Sequence, residues 1–518
     1  MSLREKENRN WRETLKPWLH PQALALLFLG FSAGLPILLI FSTLSVWLRE
    51  AGVVRSAVTF FSWAALGYSF KFLWAPLVDL LPLPVLTKLL GRRRAWMILA
   101  QLCMIAAVIW MSSVDPASGA AYLTIMACAA VMLGFSSATQ DIVIDAYRIE
   151  CADESLQALL ASMYIAGYRG GMLVAGAGSL FLAGYLGTSV DLYDYKSWQI
   201  TYLSMAGVMC CGVVTTLVIS EPRRGSASTS ERYNYTVFEY FKFVALFLVS
   251  AAAFASTFFF SGSLVAEIKQ ALSALPFMGG AGGSFLVELL RFITAIVMAG
   301  LVAVIMVQLK LVDRSMVRET YLEPIRDFFV RYGGKSALLL LLLIGFYRLS
   351  DIVLGVVSNV FYLDMGFTKN VIAGVTKSFG LAMILAGGIL GGILTVRFGV
   401  NNILLLGAFL SAATNVLFLF LARVGADVTM LTLVIGADNL SAGIATTAFV
   451  AFLSSLTSAS FTAVQYAIFS SVMTLFPKLI GGYSGTMVSS FGYEYFFLLT
   501  AIMGIPVMFL VWTVRSRS

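Results

Sequence analysis

At 518 residues the chain is 59% hydrophobic and only 12% charged, with a formal net charge of +8. Soluble domains carry roughly 25% charged residues; half that share leaves too little polar surface to coat a water-soluble globule, and a soluble enzyme is excluded. Apolar runs of about 20 residues recur instead, as in an all-α polytopic membrane protein.

In chain order, residues 1–21 are a polar segment with Arg4, Lys6, Arg9, Arg12 and Lys16 and no cleavable signal pattern, expected to stay cytoplasmic before an uncleaved first span. Spans are predicted near 22–47, 57–79, 95–113, 119–148, 158–186 and 198–220, which make a six-helix bundle over 22–220. A cytoplasmic linker, 221–236, leads to two inserted helices within 237–309, at 237–262 and 283–309. A basic cytoplasmic linker, 310–335, precedes a second six-helix bundle over 336–514, with spans near 336–363, 370–396, 401–423, 427–455, 460–488 and 493–514. A cytoplasmic tail, 515–518, closes a 6 + 2 + 6 arrangement of fourteen spans.

Lysine and arginine should gather on the inner side of such an arrangement. The segments placed inside hold Lys88, Arg92–Arg94, Arg223, Arg224, Arg232, the basic residues of 310–335, Arg397, Arg515 and Arg517, whereas Asp115–Gly119 has none. Both termini are therefore expected in the cytoplasm; the loop with Arg49 and Arg55 fits least well. A faint repeat relates Gly30-Phe31 with Trp47–Gly52 to Gly345-Phe346 with Tyr362–Gly366, as in carriers built from two related bundles. Neither metal nor cofactor is expected: His20 is the only histidine, and the five cysteines lie in or beside apolar runs without ligand spacing. The positive charge is explained by orientation, with no nucleic-acid signal.

Charged side chains inside spans are costly unless paired or wet, which singles out Lys71, Asp141, Asp145, Arg169, Arg348, Asp351, Lys377 and Asp438. Asp141 and Asp145 share one face of the fourth span, about 6 Å apart along the axis. One reading makes them proton-coupling carboxylates; the other makes them a lock with Arg148 and basic loop residues. Counting from the span ends places Lys71 and Asp141 at the same depth, about 12–14 Å in, so depth permits a Lys71–Asp141 pair while leaving open whether the two helices touch. Arg348 and Asp351, three apart, can neutralise each other. Arg169 has no acid on its own helix, and planar recognition of a carboxylate or phosphate is its functional option. Lys377, Asp438 and Asn439 stand without local opposites, and Gln140 and Gln465 are candidate polar contacts. Tyr168 and neighbouring aromatics suit either packing or a sugar ring. The glycines of 167–178 and 387–392 read as close helix contacts.

Leu77-Val78-Asp79 followed by Gly91-Arg92-Arg93-Arg94 resembles the acidic and arginine-rich loop signature of the major facilitator superfamily. With Phe31–Pro36, Phe70–Leu77, Gln140-Asp141-Ile142, Asp145-Ala146, Gly167-Tyr168-Arg169, Asp438-Asn439-Leu440 and Thr447–Ala451, the chain is similar to one branch, the AmpG muropeptide permeases. The match fails over 225–335; Leu80 stands where the family has an arginine, the segment to Gly91 is longer, and Gly170 replaces a larger apolar residue.

The resemblance implies a monomeric carrier in the lipid bilayer of a bacterial inner membrane, not an enzyme. It would import N-acetylglucosaminyl-1,6-anhydro-N-acetylmuramic acid, with or without peptide, for peptidoglycan recycling, and feed the inducer pathway of chromosomal β-lactamase. Protons would drive it through Asp141, Asp145 and Asp438. Lys71, Gln140, Tyr168, Arg169, Arg348, Asp351, Lys377, Asn439 and Gln465 would meet the anhydro-muropeptide, and Asp79, Arg92, Arg93 and Arg94 would gate the cytoplasmic side. The competing expectations are carriage of acetyl-coenzyme A or another anionic solute and, in a different class, a membrane-embedded glycan enzyme or receptor.

Overall fold

The computed structural model describes residues 21–53, 68, 70–153, 156–189, 192–222, 235–273, 281–481 and 484–515. The first half holds α1 (Pro21–Glu50), α2 (Ala75–Leu80), α3 (Arg92–Ser112), α4 (Ala120–Glu150), α5 (Gln157–Leu186) and α6 (Tyr195–Val218). Next come α7 (Val237–Phe260), α8 (Gly262–Ser273), α9 (Ala281–Gln308) and α10 (Glu323–Tyr332). The second half holds α11 (Gly334–Phe346), α12 (Leu349–Asp364), α13 (Gly380–Phe398), α14 (Val400–Val424), α15 (Val428–Ser455), α16 (Thr462–Gly481) and α17 (Ser484–Arg515).

Among the described residues, twelve helices are long and apolar enough to cross a bilayer. The expected second span, 57–79, falls largely outside the described residues, and in the expected thirteenth the apolar stretch is only Thr462–Leu475. The chain divides into two compact units: Thr229–Arg331 with the inserted helices, and the remainder with both six-helix halves. Within the inserted unit α7 packs along α9, and its apolar windows are only 11% and 6% buried against 61% for α1, a surface suited to lipid.

Helix ends follow local chemistry. Asp194 accepts from the Lys196 and Ser197 amides and caps α6; these bonds and the Ser197 hydroxyl hold its carboxyl below the usual range. Asp427 likewise accepts from Met430 N at 2.7 Å to open α15.

Small residues let backbones approach where lipid offers no hydrophobic drive. A methyl added at Gly167 would overlap the Leu27 carbonyl of α1, and one at Gly34 the Tyr168 carbonyl of α5, so α1 and α5 touch backbone to backbone around Arg169. Gly387 against Leu440, and Gly443 against Ile384, do the same for α13 and α15. The halves meet where α5 packs on α13 and α15, and where α2 and α4 pack on α16. Three irregularities fall beside charged positions: a 3-10 turn at Lys71–Leu73, a π-turn at Ala373–Phe379, and a break at Tyr347-Arg348 between α11 and α12.

Candidate functional site

The first layer lies at the ends of α2, α3 and α4. Arg93 is buried, its Nη2 lying 2.7 Å from Asp79 Oδ1 and 2.5 Å from Glu150 Oε1, and its Nε donating to Glu150 Oε2 at 3.1 Å. Arg92 donates to the Asp79 carbonyl at 2.8 Å. Arg94 turns away and donates to the Thr216 and Leu217 carbonyls of α6 at 3.0 and 2.8 Å. Glu221 accepts the Arg93 and Arg94 amides and thus caps α3. From the other half, Val464 N donates to Asp79 Oδ2 at 3.0 Å and Thr462 Oγ1 to Glu150 Oε1 at 2.5 Å. The first turn of α16 is therefore pinned onto two acids of the opposite half.

A second layer lies deeper on α4. Asp145 Oδ2 is 3.5 Å from Lys71 Nζ, and Asp145 Oδ1 is 3.4 Å from Arg148 Nη2. Asp141 Oδ1 instead accepts from the Tyr164 hydroxyl at 3.3 Å. Lys71 therefore pairs directly with Asp145, one turn further on, and acts on Asp141 at longer range. The depth count compared backbone levels, whereas the long lysine stem lets its ammonium reach a carboxylate at another level. Arg148 also reaches the other half through Ser454 and Tyr466. Gln140 is fully buried, with both amide atoms lacking a hydrogen-bond partner.

The third layer is central. Among the described residues Arg169 makes no ion pair; its Nη1 lies 3.7 Å from the Met172 sulfur, while Tyr168 lies against Tyr164 with ring centres 6.1 Å apart. Arg348, at the α11–α12 break, is near enough for the two guanidinia to repel. Its Nε lies 3.3 Å from Asp351 Oδ2, the neutralisation that the spacing suggested, and its Nη1 donates to Thr446 at 2.8 Å. The Ser411 hydroxyl donates to Asp351, and Thr414 to Asp438 Oδ1 at 3.3 Å.

Other candidates stand apart. Asn439 donates to Ile435 O of its own helix at 3.0 Å, and Gln465 Oε1 accepts from Ser458 N at 2.7 Å, bracing the turn before α16. The Lys377 side chain lies outside the described residues. Sequence reasoning missed Glu150, Glu221, Ser454, Thr462 and Tyr466 as members of these layers. The charge of Glu150 at a span end was the available signal; Ser454 and Tyr466 carry none.

The sequence model of the family described as "Acetyl-coenzyme A transporter 1" matches residues 22–185. "Putative transporter AmpG 4" of Rickettsia conorii is 28% identical over 489 residues, covering 94% of this chain and 95% of the relative. "Anhydromuropeptide permease" of Escherichia coli K12 is 27% identical over 503 residues, covering 97% and 81%. Among solved structures, the proton:xylose symporter XylE superposes with a TM-score of 0.58 at 14% identity, covering 95% of this chain and 94% of that one. The fold is that of a major facilitator superfamily transporter, and the chain is a multi-pass inner-membrane protein. Along nearly its whole length the chain is similar to proteins named as an AmpG transporter and as an anhydromuropeptide permease, names of transporters rather than of enzymes.

Proposed function

We propose that this protein is a proton-driven importer of anhydro-muropeptides, taking the anhydro-disaccharide with or without its peptide from periplasm to cytoplasm for cell-wall recycling. In this reading fourteen spans place both ends inside, and the pinned Asp79–Arg93–Glu150 layer is the cytoplasmic gate, closed in an outward-facing state. The observation that carries the reading is Arg169, half-buried mid-span, without an ion pair among the described residues and beside Arg348, in a chain similar to anhydromuropeptide permease. Half-buried guanidinium groups of this kind suit the carboxylates of a muropeptide stem. Tyr168, Gln140 and Asn439 supply ring and amide partners for the disaccharide, Lys71 and Asp351 line the same route, and Lys377 is a cargo candidate by its charge within a span. Asp141, Asp145 and Asp438 exchange the coupled protons. Delivery of this cargo inside would supply the inducer pathway of chromosomal β-lactamase.

The test is uptake of labelled anhydro-disaccharide and its peptide-bearing form into membrane vesicles, with and without an uncoupler. Accumulation that collapses with the uncoupler supports the reading. Competition by coenzyme A esters, with none by the disaccharide, would replace it with the acetyl-coenzyme A reading that the family match over residues 22–185 raises. Arg169→Ala is expected to weaken uptake of the peptide-bearing form more than that of the bare disaccharide; equal loss makes Arg169 a structural arginine.

A further inference from the structure

Two apolar spans flank the basic segment 310–335: α9 ends at Gln308 and α11 begins at Gly334. Between them a short helix, Arg314–Val317, capped by Asp313, runs through a π-turn at Arg318–Leu322 into α10. A surface helix normally hides its apolar stripe. This run has one face hidden and a second stripe bare. Met316, Thr320, Pro324 and Phe328, spaced by four, are buried; beside them Tyr321 meets the Phe243 ring of α7, and Glu319 accepts from the Tyr235 hydroxyl at 2.6 Å. Leu322, Ile325 and Phe329, spaced by three and four, share another face, and all three are exposed.

The charges around the bare stripe are unequal. Six basic residues, Lys310, Arg314, Arg318, Arg326, Arg331 and Lys335, stand against four acids, and each acid is engaged. Asp313 accepts from Ser315, Glu319 from Tyr235, Glu323 bridges Arg318 and Arg326 at 3.4 Å each, and Asp327 holds Arg331 at 2.9 Å. Lys310, Arg314 and Lys335 are exposed and make no ion pair among the described residues.

Connectivity decides what covers the stripe. Gly333 alone separates α10 from the apolar span Gly334–Ser358, so the last turn of α10, with Phe329, lies at the bilayer surface where that span starts. At that level an apolar side chain meets the boundary between headgroups and acyl chains, and lysine and arginine stems lie along it with their charges among the headgroups. A cluster of four to eight basic residues beside a span is the pattern that attracts anionic lipid.

We propose that α10 and the turns before it form an interfacial anchor for anionic phospholipid: Leu322, Ile325 and Phe329 enter the headgroup–acyl boundary, and Lys310, Arg314 and Lys335 hold headgroups of net negative charge such as phosphatidylglycerol. The proposed topology makes this the cytoplasmic leaflet, and the leaflet alone rests on that reading. The anchor itself is independent of cargo.

The test uses the full chain with its five native cysteines replaced by serine and a bimane fluorophore on Ile325→Cys, one copy per lipid nanodisc. The discs mix phosphatidylcholine and phosphatidylglycerol, and a spin label near the head of the acyl chain, which quenches bimane on contact, is carried by one lipid or the other at equal mole fraction. Quenching by labelled phosphatidylglycerol is expected to exceed that by labelled phosphatidylcholine about threefold at low salt, a modest yield for three unpaired cations. High salt should reduce the excess. Lys310→Gln, Arg314→Gln and Lys335→Gln together should remove it while both lipids still quench, because the apolar stripe remains. Glu323→Gln should raise it by freeing Arg318 and Arg326, which a pair that only braced the helix would not do.

Equal quenching by the two lipids in the parent would overturn the proposal, as would an excess that survives the triple variant. Absence of quenching by either lipid overturns it too, and disulfide-linked pairs of unlabelled Ile325→Cys in discs with two copies would then give the stripe to a second copy of this chain. No cargo is present in this assay. Failure of muropeptide uptake with the quenching pattern intact refutes the cargo assignment and leaves the anchor, and the reverse result refutes the anchor alone.

Discussion

The two halves hold their buried carboxylates in different ways. In the first half, Asp79 and Glu150 accept from Val464 and Thr462 of the opposite half, and Arg148, paired with Asp145, reaches Ser454 and Tyr466 there. In the second, among the described residues, Arg348, Thr446, Asp351, Ser411, Thr414 and Asp438 bond within their own half, with Arg348 facing Arg169 across the halves without a bond. Charge changes on α4 therefore act on the contact between halves. Charge changes around Asp351 and Asp438 act on the shape of one wall. The lesson is that similar intramembrane acids divide into those that move the halves and those that hold a wall in place.

The largest effect should come from Asp141, which accepts from the Tyr164 hydroxyl and stands in the fields of Lys71 and Asp145. Asp141→Asn is expected to abolish uphill uptake, a fall of about a hundredfold in keeping with the loss of one proton-transfer group, while exchange of preloaded substrate persists. Accumulation by this mutant under a pH gradient would move coupling to Asp145 or Asp438. In the second case the contrast between the halves breaks.

The close helix contacts offer a matched pair. A methyl at Gly167 meets the α1 backbone and one at Gly387 meets the α15 backbone, and backbone cannot swing aside as a side chain does. Gly167→Ala and Gly387→Ala should each destabilise by about 1–3 kcal/mol, near the upper end, measured as thermal unfolding in detergent. Because one contact lies in each half, equal losses show that the halves differ in wiring and not in packing. A loss confined to Gly167→Ala would mean that the α1–α5 contact alone is rigid.

Next in size is the self-contained pair of the second half. Arg348→Gln and Asp351→Asn each strand a charge that is only partly solvated, and each should cost about 2 kcal/mol, below the range for fully buried pairs. The double variant should recover most of that loss, and a double-mutant cycle measures the coupling. A coupling energy near zero would show that the two side chains do not hold each other and that the second-half cluster is not self-contained.

Much of this was legible in the sequence because it is local. Apolar runs marked the spans, four-residue spacing put Asp141 and Asp145 on one face, three-residue spacing paired Arg348 with Asp351, and glycine clusters marked the backbone contacts. What was hidden is long-range or irregular. The partner of Lys71 depended on which way its long side chain leans, and the contact between the halves depends on Thr462, Val464 and Ser454, ordinary residues until the fold brings them to Glu150, Asp79 and Arg148. Gln465 stood out by residue type alone, and the bond of its oxygen to the Ser458 amide, seven residues away, is not visible in the sequence.

The smallest effect concerns Arg423 and Glu494, whose 2.8 Å contact is shorter than the Arg348–Asp351 pair at 3.3 Å. By distance alone it should be the stronger of the two. Its side chains, however, are 59% and 47% exposed, against 22% and 16% for Arg348 and Asp351, so water already solvates both charges and little is gained by pairing them. Exposed pairs contribute about 0–1 kcal/mol. Arg423→Ala is therefore expected to leave thermal unfolding within about 0.5 kcal/mol of the parent and to leave uptake unchanged, where Arg348→Gln shifts both. A loss at Arg423 matching that at Arg348 would show that desolvation is not what separates these pairs, and it would remove the physical ground for ranking the buried layers above the rim.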